Sequence, residues 1–173
     1  RKAWIDRIRA ALYAAKICSY AQGFDLLRRA SVASGYGLRL DEIARIWTGG
    51  CIIRAALLAD FQAAFQRDAQ LPNLLLDRKM AQAVRARTAA WRDVVSLGVK
   101  LGITAPALSA SLAYFDGVRR ARLPTTLIQE LRDFFGAHTY ERTDQPGAFH
   151  TDWSKATLPS PAVTKNARAR SRR

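Results

Sequence analysis

The stretch AWIDRIRAALYAAKICSYAQGFDLLRRASVAS, residues 3–34, decides the fold class. Ile5, Ile8, Leu12, Ala15, Ser19, Gly23, Leu26 and Ala30 recur at spacings of three and four, which is the period of one face of an α-helix. Arg7, Arg9, Arg28 and Arg29 fall elsewhere, and Ala10, Ala11, Ala14, Ala15 and Ala21 are dense enough to let neighbours approach on several sides. Gly35 and Gly37 follow, and glycine accepts the left-handed backbone that closes a helix.

The same reading carries outward. A short helix is expected at 41–47, with Asp41 in its first turn favoured by the helix dipole. Thr48, Gly49 and Gly50 break the chain, and 51–67 resumes as a strongly apolar helix. Leu71-Pro72-Asn73 is a turn. Asp77 then caps a helix running to about Leu101, with Met80, Val84, Trp91, Val94 and Val95 inward and Gly102 at its end. Pro106 sits in the first turn of a helix over 106–121, and Pro124 opens a last one over 124–135 that Gly136 stops. No sustained period-two alternation occurs, so no sheet is expected. The chain is predicted to be all-α, a multi-helix domain with long helices over 1–153 followed by an irregular segment and a basic tail, 154–173.

Composition bounds the function. The 173 residues are 49% hydrophobic and 24% charged, which is globular. The net charge of +14 is shared unevenly: Lys155, Lys165, Arg168, Arg170, Arg172 and Arg173 lie in the last twenty residues with no acid among them. That tail is expected to be mobile and solvated or wrapped on a subunit. Without stacking aromatics or a recognition-helix signature, nucleic acid is not an expected partner. Cys18 and Cys51 are expected to be buried free thiols of a reducing compartment. No apolar run reaches membrane-span length and no signal peptide opens the chain, which points to a cytoplasmic protein. Opening on Arg1 inside a helical pattern is expected of a piece of something longer. No dinucleotide fingerprint, P-loop or zinc spacing is present, so no cofactor-binding residue, no metal site and no catalytic residue is assigned to this chain.

The one concentration of chemistry is RDFFGAHTYERTDQPGAFHTDW, 132–153, which holds both histidines, His138 and His150. Arg132, at a helix end, offers a planar donor fork that suits phosphate oxygens, and His138 lies six residues on, past a glycine. The plainer alternative has Arg132 paired with Asp133, Glu130 or the helix end, and His138 satisfying a backbone carbonyl. His150 is expected to cap or pin the loop. Tyr140, Phe149 and Trp153 are expected to anchor it, against a partner subunit or against the chain's own helices. Arg119, Arg120 and Arg122 form a basic cluster, most simply a solvated face. Arg54 is expected in a partly buried ion pair, and Lys16 to snorkel.

Several stretches in order, ALYAAKICSYAQGFDLL (11–27), IARIWTGGCIIRAALL (43–58), LPNLLLD (71–77), SASLAYFDGVRRARLPTTLIQELRDFFGAHTYER (109–142) and FHTDW (149–153), resemble the C-terminal helical domain of the 6-phosphogluconate dehydrogenases. The most specific block is RDFFGAHTYE followed closely by FHTDW. The resemblance implies an all-helical domain of a homodimer, following a Rossmann domain that binds NADP. It also implies a parent reaction that oxidises and decarboxylates 6-phosphogluconate to ribulose 5-phosphate. Carried over residue by residue, it makes Arg132 and His138 the pair that reaches the substrate phosphate in the partner subunit's site. The family's lysine base and glutamate acid match nothing here, and the ending after Trp153 departs from the family's glycine-rich one. A different class of protein remains open: a non-catalytic helical dimerisation module or gene remnant whose basic tail meets an anionic polymer.

Overall fold

The computed structural model describes residues 1–155 and divides the chain into two compact units, Arg1–Ala121 and Arg122–Arg173. The tail from 156 onward lies outside the described residues. The first unit holds α1 (Lys2–Ser34), α2 (Leu40–Ile46), α3 (Leu57–Arg67), a single 3-10 turn at Leu74–Leu76, α4 (Arg78–Arg85), α5 (Thr88–Lys100) and α6 (Pro106–Val118). The second holds α7 (Thr126–Gly136) and two-residue strands β1 (Tyr140–Glu141) and β2 (Ala148–Phe149). All-α is therefore the fold class, with one small antiparallel ladder, Tyr140 opposite Phe149 and Glu141 opposite Ala148, that the alternation test is too short to find.

α1 is the axis of the first unit and packs against α4, α5 and α6. Its buried face is Ala11, Ala14, Ala15, Ile17, Cys18, Ala21 and Phe24. This corrects the expected stripe: Ile5, Ile8, Leu12 and Leu26 are all about half exposed or more. The small residues win the interior because they let the other helices come close, and the large aliphatics are left outside. Gly35 closes α1 in the left-handed conformation, φ 67°, its N–H reaching Ser31 O. Around the far half of α1, Phe24 meets Trp47, Phe61 and Phe65 at ring-centroid distances of 5.0, 6.1 and 5.0 Å. Ser19 and Ser111 share a hydrogen bond of 3.1 Å between α1 and α6. Trp91 is fully buried, donates from Nε1 to Leu108 O at 3.2 Å and lies against Phe115, which ties α5 to α6.

Several expected helices are shorter or divided: the one expected over 106–121 ends at Val118, and the last begins at Thr126 and not at Pro124. Residues 51–56 form turns, and α3 begins only at Leu57. There Arg54 N–H turns back to Cys51 O and the Tyr20 hydroxyl donates to Ile53 O, so the apolar run CII closes a loop. The helix expected over 77–101 is two, divided by a turn at Ala86 and Arg87 where the Arg87 N–H bonds back to Val84 O at 3.0 Å. The capping residue is as expected: Asp77 accepts from the N–H groups of Lys79 and Met80 and pairs with Arg67. Burial would raise the Asp77 carboxyl, but the Arg67 bond and the two amides hold it below the ordinary value of 3.8. Both cysteines are free; Cys18 is buried, its thiol pushed up to about 12 by that burial, while Cys51 is only half-buried. Arg54 corrects another expectation: it is exposed and makes no ion pair among the described residues. Lys16 is exposed, as a snorkelling lysine should be.

Candidate functional site

In the second unit the only fully buried side chain among the described residues is a carboxylate, Asp133, at 0% exposure. Its Oδ1 accepts the Thr139 N–H at 3.1 Å and meets His150 Nδ1 at 2.9 Å. Its Oδ2 accepts the Thr151 N–H and Trp153 Nε1–H, each at 2.9 Å. Burial alone would push the Asp133 carboxyl up; the Thr151 amide, His150 and the Trp153 indole outweigh it and hold it down at about 2. This gives a physical reason for the spacing of RD, HTY and FHTDW. One acidic side chain gathers donors from 139, 150, 151 and 153, so the separate short motifs become one knot.

The knot shapes the turn that carries His138. α7 ends on Ala137, which is left-handed at φ 48°, and Thr139 is left-handed again at φ 61°. For residues with a Cβ each such conformation costs about 1–2 kcal/mol, so something must hold both. Asp133 does: its backbone O accepts the Ala137 N–H at 2.8 Å and its side chain the Thr139 N–H. Gly136 was expected to be the helix stop. The left-handed stop is Ala137, and the glycine serves another purpose: a Cβ there would stand 2.7 Å from Cδ2 and Nε2 of His138. Gly136 is the space in which the imidazole sits.

Arg132 and His138 are both exposed. Arg132 donates from Nη1 to Gln129 Oε1 at 3.2 Å, a neutral partner, and pairs with neither Asp133 nor Glu130 among the described residues. The remaining donors of its fork are open to an anion. The His138 imidazole makes no hydrogen bond among the described residues, and the carbonyl of His138 accepts from the Thr139 hydroxyl. His150 does the pinning expected of it. Tyr140 faces Phe149 across the ladder at 6.3 Å, with its hydroxyl 2.7 Å from Thr151 Oγ1, and Trp153 meets Phe134 edge-on at 5.9 Å. These aromatics anchor the segment within its own unit.

A groove of about 850 Å3 opens on this unit, lined by residues that include Thr125, Gln129, Tyr140, Arg142, Thr151 and Trp153. Neither Arg132 nor His138 lines it, and its Arg142 is already paired with Asp144. Arg119, of the basic cluster, stacks over Phe115 and leans toward Asp116 at 3.8 Å, as a solvated face does. Sequence reading missed Asp133 as a centre. Its signal was there in the indole, imidazole and amide donors of FHTDW, which need a common acceptor once folded.

Residues 1–153 match the family model of the 6-phosphogluconate dehydrogenase C-terminal domain. The chain belongs to the 6-phosphogluconate dehydrogenase family. It is 56% identical over 155 residues to 6-phosphogluconate dehydrogenase, decarboxylating 2, of Arabidopsis thaliana, covering 90% of this chain and 32% of that protein. With the decarboxylating 6-phosphogluconate dehydrogenase of Synechococcus elongatus it shares 55% over 153 residues, 88% of this chain and 32% of the other. Among solved structures it is similar to Plasmodium falciparum 6-phosphogluconate dehydrogenase, described in its apo form and in complex with its cofactor NADP+ and its substrate 6-phosphogluconate. There the TM-score is 0.82 at 43% identity, over 88% of this chain and 32% of that one. The chain thus spans about a third of the length of the relatives it matches. Among its described residues no helix is long and apolar enough to cross a membrane, and no cluster of three or more His, Cys, Asp or Glu could hold a metal.

Proposed function

We propose that the chain is the C-terminal part of an NADP-dependent decarboxylating 6-phosphogluconate dehydrogenase of the cytoplasm, in which Arg132 and His138 bind the phosphate of 6-phosphogluconate in the site of a partner subunit. The observation that carries this reading is the pair itself: among the described residues, an exposed guanidinium with unspent donors and an exposed imidazole without a partner, inside a chain that matches the family throughout 1–153. A guanidinium fork meets two phosphate oxygens at once, and an imidazole can add a third donor. The parent reaction yields ribulose 5-phosphate and carbon dioxide. Its redox step belongs to NADP, which accepts the hydride when bound. The described residues do not fit that cofactor: no glycine-rich turn between a strand and a helix occurs among them. Their part is to bind and orient the phosphate.

A homodimer is part of the proposal. Leu127, Ile128, Leu131, Phe134 and Phe135 of α7 are all exposed, as are Ile5, Ile8 and Leu12 of α1. Apolar surface on that scale, with aromatics in it, is the composition of an interface core.

Mixing the chain with full-length subunits of a relative that lack the arginine matching Arg132 tests donation in trans. Turnover of 6-phosphogluconate is expected to return in the mixture and to stay absent with the chain alone. Mixed dimers that form without regaining activity would remove the phosphate role. Turnover by the chain alone would overturn the statement that it holds only part of the site.

A further inference from the structure

We infer that Asp133 is the positioning residue of the phosphate pair, fixing where the His138 imidazole stands through the two backbone angles on either side of it. The inference rests on the phosphate reading of Arg132 and His138. Asp133 is fully buried, so it has no route to the ligand itself. Yet the two peptide N–H groups flanking His138, those of Ala137 and Thr139, both end on this one residue, the first on its carbonyl and the second on Oδ1.

Both flanking residues are left-handed and neither is glycine. Local preference alone would return them to ordinary helical or extended angles, and either return swings the imidazole away from its place over Gly136. The carboxylate is itself prevented from turning. Oδ2 is held by the Thr151 amide and the Trp153 indole, and His150 shares Oδ1 with Thr139. His150 is therefore a buttress of the carboxylate through its Nδ1. The arrangement also answers an electrostatic difficulty. A carboxylate one residue from the proposed phosphate ligand would repel the anion, but on a helix successive side chains diverge by about 100°, and four donors surround this charge.

An amide cannot replace it. Asparagine has one acceptor oxygen, so it serves either the Thr139–His150 side or the Thr151–Trp153 side and turns N–H groups toward donors on the other. With only two histidines in the chain, the imidazole signals of His138 and His150 can be followed separately by NMR while inorganic phosphate is titrated into the 173-residue protein.

In the wild type, His138 and the Arg132 guanidinium are expected to shift together and saturably, with His150 silent. In Asp133→Asn the affinity read at His138 is expected to fall by about tenfold or more, because a small misplacement of a binding group is costly. Trp153→Phe keeps the ring against Phe134 but removes one donor, and is expected to weaken phosphate by about threefold. Adding Ala137→Gly and Thr139→Gly to Asp133→Asn makes the left-handed angles free, and is expected to recover part of the affinity without recovering the melting temperature. No response of His138 in the wild type sinks the phosphate reading and the inference with it. Unchanged affinity in Asp133→Asn and in Trp153→Phe overturns the positioning role alone. If Asp133→Asn unfolds the segment, Trp153→Phe decides; loss of affinity that glycine does not relieve would make Asp133 a general support and not a positioning residue.

Discussion

The two units of this chain are held together by opposite means. In Arg1–Ala121 the interior is apolar and continuous, from the alanine face of α1 through Phe24, Phe61 and Phe65 to Trp91 and Phe115. In Arg122–Lys155 every large apolar side chain of α7 is exposed, and the buried centre is a carboxylate with four donors on it. Apolar packing is tolerant of detail and strong in sum, whereas a polar knot is exacting: each donor needs its acceptor at hydrogen-bond distance and direction. The first kind of interior suits a scaffold, and the second suits a short segment that must set one side chain in one place.

Four measurements break or sharpen that contrast. Trp91→Ala removes the largest buried side chain and its bond to Leu108 O; a loss of about 3–5 kcal/mol is expected in urea unfolding of the first unit. A loss below about 1 kcal/mol would show that α5 and α6 do not depend on it.

Acid should act on the second unit next. The Asp133 carboxyl sits below its ordinary value, at about 2 against 3.8, so its stabilisation is complete above 3.8 and disappears as the pH falls through about 2. Over that window the Trp153 indole signal is expected to lose its bonded shift. The first unit gives up its Asp77–Arg67 and Asp116–Arg92 pairs, whose carboxyls are also lowered, and keeps its apolar core.

Asp77→Ala deletes the cap of α4 along with the Arg67 pair, and should cost about 1–2 kcal/mol by thermal melting. Smallest of all, Ala137→Gly relieves a left-handed alanine and is expected to leave stability unchanged or raise it by up to about 1 kcal/mol. A clear destabilisation there would mean that the Ala137 methyl has a packing role.

The same contrast explains what could be read from residues alone. Helix ends were legible where one residue carries the signal, as at Gly35, Asp77, Gly102 and Pro106. The inward face of α1 was not, because periodicity marks two possible stripes and only packing shows that alanines take the inside and Ile5, Ile8 and Leu12 the outside. The break between α4 and α5 was hidden for a similar reason: Ala86 and Arg87 at the join carry no stop signal, and only the folded chain shows the Arg87 N–H turning back to Val84 O. In the segment around 132–153, Arg132 and His138 could be singled out by residue type and by resemblance. Asp133 could not, since a lone aspartate beside an arginine looks like half of an ion pair until the donors at 139, 150, 151 and 153 are brought around it.

The sharing of one carboxylate has a kinetic consequence. The amides of Thr139 and Thr151 lie on different stretches of chain and belong to no common helix or strand, yet both end on the Asp133 carboxylate. An opening that turns the Asp133 side chain away exposes both at once. In native-state hydrogen exchange the two should therefore open as a single event, at one rate and with one dependence on denaturant, while the solvent-facing amides of α7 exchange on their own.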